Sequence, residues 1–479
     1  MTTPRARGAS AEEIRLEFAR RHPRLPMFTP TGGTVVVLPS LTLSPGELAH
    51  IEGYARYEER LLFLLLMLRE PAVSVIFLSS VPVDAEVVDY YLSFLPDPAG
   101  ARARLRMMPV GLAENTELCP LTHRILADPA MCHEIARAAG TDAWLFPFVV
   151  TEHEERLSEI TGLPLYGAPA RLAVLGTKSG SRAIAEGACV ATVPGAGGLA
   201  SVGEVEAVVA RLVADGPVML KLDDGYGGLG NAIVEAMPNG RLAQARIRFT
   251  APDETWTSFA AKISARGATA ERYLTTPGLR SPSTFASITP DGTPEVIVTQ
   301  DQVLDGMVYV GCRSPADSRY RPALRAAAQR VVDALSARGV IGVFSLDFLA
   351  VERGGWEILL CETNLRVGGT THPFGTTLLV TGGCVDGATG QVVDGGRAKA
   401  YVGTDHLWVP HFRGCRPADI IDRLGANAFD PRRGTGAVLH LLGAACVYGK
   451  LGITAIGDTP GEAEQVYQDS RRALGAADS

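Results

Sequence analysis

Hydrophobic positions in the first third of the chain fall into two alternating textures. Residues 34–40, "TVVVLPS", and 73–80, "VSVIFLSS", are unbroken β-branched runs ending in turn residues, the pattern of strands buried on both faces. Residues 102–111, "RARLRMMPVG", read as a third strand. Between them, 44–70 and 83–95 carry helical spacing, the first opened by Ser44 ahead of Pro45 and Glu47, an N-cap with proline at the first helical position. This βαβαβ order predicts a small open parallel sheet flanked by helices. No G-x-G-x-x-G follows the first strand, so no dinucleotide is assigned to it, and a structural or substrate-shaping role is expected.

The pattern changes after "ITGLPLYGAPARLAVLG" (160–176), which is dense in Gly and Pro. Strands and hairpins with glycine loops then run to about residue 400. A third unit begins near "RAKAYVGTDHLWVPHF" (397–412). It holds two strand-like runs within 436–458, separated by a Gly-rich turn, and an N-capped amphipathic helix at 459–474. The expected units are 1–165, 166–400 and 401–479, α/β first and α+β afterwards, without internal repeats.

One hairpin in the middle unit carries chemistry. In "GVFSLDFLAVERGGWEILLCETN" (342–364), Gly354-Gly355 reads as a two-residue turn. That turn sets Arg353 opposite Trp356, Asp347 opposite Glu362 and Ser345 opposite Asn364. Asp347, Glu362 and Asn364 then share one face, while Leu346, Phe348, Leu359 and Cys361 form a core on the other. Like charges across a ladder destabilise it unless neutralised. A hard divalent cation would neutralise them, and Mg²⁺ takes such carboxylate and amide oxygens beside water and phosphate. The plainer alternative is a solvated polar face.

Composition narrows the class. The 479 residues are 46% hydrophobic and 20% charged with a formal charge of -7, as in a globular protein without the basic surface that nucleic acid favours. The eight cysteines show no C-x-x-C pair and no metal-binding Cys/His set, and scattered thiols suit a reducing cytoplasm. The N-terminal segment has no apolar secretory core, and "LLFLLLM" (61–67) is too short to span a bilayer, so a cytoplasmic protein that does not enter membranes is expected. Only five of the 45 basic residues are lysine: Lys178, Lys221, Lys262, Lys399 and Lys450. In a chain that writes Arg for a generic positive charge, each lysine is a candidate for a site that needs a compact cation.

Two of them flank a glycine loop. "PVMLKLDDGYGGLGNAIVE" (217–235) is strand, loop, strand, and Gly225, Gly227, Gly228 and Gly230 give a bare backbone able to close on phosphate oxygens. It is neither a Walker A nor a Rossmann loop. Lys221 precedes the loop, and Lys178 stands at the start of a short helix in "LGTKSGSRAIAEG" (175–187). A surface lysine and a mobile hairpin tip are the alternatives for each piece alone; together, with the acid hairpin downstream, they point to phosphate binding.

In this order the elements resemble an ATP-grasp ligase, whose two-subdomain fold sandwiches ATP. The resemblance implies that Lys178 and Lys221 contact the nucleotide phosphates, that Gly225–Gly230 is a phosphate lid, and that Asp347, Glu362 and Asn364 hold two Mg²⁺ with Glu362 between them. "AERYL" (270–274) resembles the linker that bonds adenine through its backbone, giving Glu271, Arg272, Tyr273 and Leu274 as nucleotide residues. Asn364, Gly368, Thr370 and His372 match the spacing of D-alanine–D-alanine ligases, but Pro373 replaces their carboxylate-binding serine. Arg366 is instead like the carboxylase and purine-synthesis branches. Whole-chain likeness is to the pheganomycin-type peptide ligases, carried by residues 298–316, 364–374 and 439–467.

That resemblance implies a carboxylate, in the type case a guanidino-bearing amino acid, joined to an amine or peptide through an acyl phosphate with release of ADP. Arg366, Gly368 and Gly369 would stabilise the tetrahedral oxyanion, with Arg313 a second substrate or phosphate contact unless it forms a surface ion pair. The alternatives are a different ATP-grasp acceptor, an ATP-binding regulatory protein without turnover, and a phosphotransferase acting on a hydroxyl. Exposed apolar strands in the first unit are compatible with a homodimer.

Overall fold

A computed structural model of the chain describes residues 8–43, 48–49, 51, 53–111, 118–225 and 230–476. The expected strands of the first unit are β1 (Gly33–Leu38), β2 (Val73–Ser79) and β3 (Leu105–Pro109). A fourth, β4 (Ala143–Pro147), is added at the edge, giving an all-parallel sheet in the order β3-β2-β1-β4. Val35, Val36, Val37 and Leu38 of β1 are fully buried, which is why that strand reads as one apolar run rather than an alternating one.

The predicted N-cap at Ser44, Pro45 and Glu47 lies outside the described residues. Its helix is described from Tyr54–Tyr57 onward and tightens into a 3-10 helix, Glu58–Arg69, buried from Glu58 through Leu68. The "LLFLLLM" run is therefore core on every side. Burial includes two acids. Glu58 accepts hydrogen bonds from Ser80 N and Oγ, each at 2.6 Å, and Gly443 N donates to Glu59 at 2.8 Å. Burial pushes Glu58 up to about 8, against the stabilising effect of the Ser80 bonds.

An acid raised in the folded state is protonated there while its unfolded counterpart is ionised, so stability falls as pH rises from about 4.5 to about 8. Glu58→Gln, which needs no proton and lets Ser80 Oγ act as acceptor, is expected to flatten that slope. Its melting temperature should exceed wild type at pH 8 and match it at pH 5; equal pH slopes for the two proteins would refute this.

Beyond the first unit come two antiparallel sheets. The smaller holds β5 (Gly195–Leu199), β6 (Val218–Leu222), β7 (Asn231–Ala236), β8 (Arg246–Phe249) and β9 (Ala268–Arg272), ordered β5-β9-β6-β7-β8. The larger has ten strands. Its spine runs from β14 (Trp356–Asn364) and β13 (Gly342–Glu352) through β10 (Pro282–Ile288), β11 (Pro294–Asp305) and β12 (Val308–Ser314) to β17 (Arg397–Trp408), β16 (Gln391–Asp394) and β15 (Cys384–Asp386). β17 also pairs with β19 (Lys450–Gly457), which pairs with β18 (Gly436–His440). Between β18 and β19 stands a helix, Leu442–Tyr448, in place of the expected Gly-rich turn. Gly443 explains it: a Cβ there would meet the Glu59 carboxylate, so this helix start docks directly on the buried 3-10 helix. The closing helix, Pro460–Ala473, is capped by Thr459 as expected.

The fold is thus α/β in its first unit and α+β beyond it, and the units share one core. Phe28 packs against Phe63, Phe146, Phe285 and Phe374 with ring centroids 5.8–6.0 Å away. All eight cysteines are free thiols. Among the described residues no helix is long and apolar enough to cross a membrane.

Candidate active site

The acid hairpin keeps its predicted pairing through two departures that cancel. The turn contains three residues, not two: Glu352 faces Trp356, and Arg353 N donates to Gly355 O at 2.8 Å. That corrects the expected Arg353–Trp356 pair and shifts the register by one. A β-bulge between Asp347 and Phe348 inserts Cys361 and restores it, so that Asp347 faces Glu362 and Ser345 faces Asn364. The bulge also corrects the expected core position of Cys361, which lines the cleft beside Glu362, whereas Leu346, Phe348 and Leu359 are buried as predicted.

These residues form the floor of a cleft of about 710 Å³. Asn364 Nδ2 donates to Asp347 Oδ2 at 2.9 Å. Burial, then the facing Glu362 charge, pushes Asp347 up to about 6. Burial also opposes ionisation of Glu362, but Lys178, followed by Arg366 and Lys221, holds its carboxyl below the usual value. Lys178 Nζ lies 2.5 Å from Glu362 Oε1 and donates to Gly225 O at 3.1 Å. The helix it opens, Lys178–Gly187, is fixed at both sides of the site. Ser179 N and Oγ bond Asp223 Oδ1, and Thr363 N donates to Ser181 Oγ at 2.9 Å.

Lys221, on β6, bonds Glu271 Oε2 at 2.7 Å, and Arg182 reaches the other oxygen at 3.2 Å. Burial alone would lower Lys221; the Glu271 carboxylate beside it outweighs this and raises it. Arg272, Tyr273 and Leu274 also line the cleft. The Arg272 and Tyr273 amides are engaged, donating to Pro194 O and Pro217 O at 2.8 and 2.9 Å, and the Arg272 guanidinium pairs with Asp215. Gly227 and Gly228 lie outside the described residues; Gly225 and Gly230 mark the loop's two ends, with Leu222 N donating to Gly230 O at 2.9 Å.

Arg366, Gly368 and Gly369 line the same cleft. Gly368 N already donates to Thr371 Oγ1 at 3.0 Å, and Tyr309 lies so close to Gly369 that a Cβ there would clash with its ring. Arg313 is not brought to the site. It is half-exposed and pairs with Glu464 of the closing helix at 2.9 Å, so the surface ion pair is what forms.

The donor set suits a hard cation. Asp347 Oδ1 is buried without an aligned hydrogen bond, although Ser283 and Gln302 stand close enough to favour its charge. Among the described residues no three His, Cys, Asp or Glu converge as a self-sufficient metal cage. Two facing carboxylates and an amide are an incomplete shell of the sort Mg²⁺ completes with water and phosphate oxygens.

The chain is 32% identical over 471 residues to the L-propargylglycine–L-glutamate ligase of Streptantibioticus cattleyicolor, spanning 93% of this chain and 95% of that protein. It belongs to the ATP-grasp ligases. Solved structures share the fold of this ATP-grasp ligase at low identity. Biotin carboxylase from Campylobacter jejuni, 15% identical, covers 92% of this chain and 91% of its own with a TM-score of 0.57. N5-carboxyaminoimidazole ribonucleotide synthetase from Thermus thermophilus, 17% identical, covers 93% and 99% with a TM-score of 0.54. Residues 419–469 match the PGM1 C-terminal domain family. The protein is an ADP-forming ligase.

One wall of the cleft was missed by sequence reasoning. Tyr57, Arg60, Asp405, His406 and Lys450 line the end formed by the first and last units. Lys450 carried a signal in its rarity. In "GTDHLW" the adjacent polar pair interrupts strand alternation, which marks a bulge.

Proposed function

We propose that this ligase joins the carboxylate of an amino acid to the amine of a second amino acid or a peptide, by way of an acyl phosphate, in the biosynthesis of a peptide natural product. The observation that carries the reading is the Asp347–Glu362 pair facing each other beneath Lys178, Lys221 and Arg366 in one cleft. Such an arrangement gathers charge of both signs where a phosphoryl group must be transferred. The relative from S. cattleyicolor is named for a reaction between two amino acids, and the fold neighbours include complexes with ADP, which supports ATP as the second substrate.

Asp347, Glu362 and Asn364 would hold Mg²⁺, which would offset charge on the nucleotide phosphates. Lys178 exchanges its bond to Glu362 for phosphate oxygens, and Lys221, kept charged by Glu271, contacts the same chain of phosphates. The donor carboxylate attacks the γ-phosphorus and ADP leaves. When the amine then attacks the acyl carbon, Arg366 and the Gly369 amide face the developing oxyanion, since the Gly368 amide is already engaged by Thr371. Dependence on ATP, together with eight free thiols, fits a reducing cytoplasm.

Incubation with ATP, Mg²⁺, hydroxylamine and each of a panel of amino acids tests this. Hydroxamate formed in step with ADP is the expected result. ADP that depends on an added alcohol, without hydroxamate, would move the assignment to phosphotransfer, and no ADP with any acid would favour a binding protein.

A further inference from the structure

The cleft has a second end whose residues the nucleotide and metal roles leave unused. β17 bulges against β19 between Thr404 and Leu407, so Asp405 and His406 together stand opposite a single residue, and both line the cleft. Asp405 is 1% exposed and held from several sides. Arg60 Nη1 donates to its Oδ2 at 2.9 Å and the Tyr57 hydroxyl to the same oxygen at 2.5 Å. His406 Nδ1 lies 2.5 Å from Oδ1, a close contact without an aligned hydrogen bond. Burial opposes the Asp405 charge, yet His406 and Arg60 hold its carboxyl well below the usual range. An anion fixed beside Nδ1 favours the proton there and leaves the lone pair on Nε2.

Two more observations connect this end to the reacting centre and to a ligand. Tyr309, whose ring lies on Gly369, makes an edge contact with the His406 ring at 6.5 Å. Lys450, the first residue of β19, sets its ammonium 4.8 Å from the centre of the Tyr57 ring, whose surroundings also include Arg60 at 4.3 Å. The tip of the β11–β12 hairpin, with Leu304 and Val308 exposed, gives the rim an apolar edge. A compact cation, a base backed by a buried acid and an apolar rim are complementary to the three parts of one molecule class.

Resting on the ligase reading, we propose that this end is the acceptor site, which takes an α-amino acid with its carboxylate on Lys450, its side chain toward Leu304 and Val308, and its nitrogen toward His406. His406 is the base. An ammonium group cannot attack the acyl phosphate until it loses a proton. As the C–N bond forms and the C–O bond to phosphate breaks, one of the three ammonium protons stays on the amide nitrogen, one leaves on inorganic phosphate, and one passes to His406 Nε2 and then to water. Arg60 and Tyr57 are positioning residues that act through Asp405.

The test compares amide and hydroxamate formation by the full-length protein, with the donor acid found in the hydroxylamine panel and the common L-amino acids as acceptors. Hydroxylamine is already neutral at assay pH and needs no base. His406→Gln is expected to lower the ratio of amide to hydroxamate about a hundredfold. Lys450→Met is expected to raise the acceptor KM about tenfold while the ATP KM holds, and the effect should vanish with the acceptor's carboxamide. Parallel loss of amide and hydroxamate in His406→Gln would make the cluster structural. An unchanged acceptor KM in Lys450→Met, or hydroxamate formation with no amino acid serving as acceptor, would also overturn the proposal. Wild-type protein that yields neither ADP nor hydroxamate would remove the ligase reading itself.

Discussion

Glu362→Gln is expected to lower ADP formation by a hundred- to a thousandfold, the order seen when one preorganised electrostatic partner is removed from a reacting centre. The substitution keeps volume and removes a single charge that has three roles. Glu362 is the ion-pair partner of Lys178, the carboxylate facing Asp347, and the proposed bridge between metal ions. Without it Lys178 loses its anchor, and Asp347 loses the like charge that, after burial, does most to raise it. The variant should fold, because Glu362 lies at a bulge with its side chain in the cleft and the register on either side is set by apolar neighbours. Steady-state ADP release over a range of Mg²⁺, with a melting curve as the folding control, decides it. Activity within tenfold of wild type in a folded variant would mean that the hairpin is not the metal site.

Asp347→Asn should separate stability from activity. Its carboxyl is raised from 3.8 to about 6 in the folded protein. An acid so raised binds its proton more tightly folded than unfolded. Stability is therefore lost as pH rises between those values and stays lost above them. At pH 7.5 without ligands the neutral asparagine is expected to be more stable by about 2 kcal/mol, allowing for the partly exposed position. Activity should fall at least a hundredfold. Mg²⁺ with ATP should raise the melting temperature of wild type and leave that of the variant nearly unchanged, so that the order of the two reverses. A ligand-free variant less stable than wild type at pH 7.5 would refute the charge-repulsion account.

The expected ligand-free instability at this pair would follow from placing two acids at a proposed cation site. The same logic separates the hairpin from Glu58 and Glu59, which are also buried but are met by protein donors, the Ser80 amide and hydroxyl and the Gly443 amide. Those acids are structural, and the proposed metal pair is left one aligned partner short at Asp347 Oδ1.

Much of the candidate site was legible because it is local. Asp347, Glu362 and Asn364 lie on two strands joined by a short turn, so period-two alternation and one turn signal suffice to bring them together. Lys221 and the glycine loop belong to a second hairpin, and Lys178 to a helix start, each identifiable within a dozen residues. Arg313 was left undecided, between a substrate contact and a surface ion pair, for the opposite reason. What lies opposite its side chain is Glu464, 151 residues away on the closing helix, and nothing near Arg313 in the chain encodes that meeting. The turn length was misjudged, since two glycines allow either a two- or a three-residue loop.

By itself, then, the sequence determined the first three strands and the parallel sheet they open, the two hairpins and the residue types that carry charge, because each depends on neighbours within one or two turns of chain. Tertiary structure decided the bulges that turn Cys361 beside Glu362 and Asp405 beside His406 into the cleft. It also decided the burial of Glu58 and Glu59, and the closing of one cleft wall by Tyr57, Arg60 and Lys450 from opposite ends of the chain. A bulge adds a residue and bends its strand to suit what packs around it, and a wall is the sum of contacts across hundreds of residues. Both are set by packing between elements, which no local pattern records.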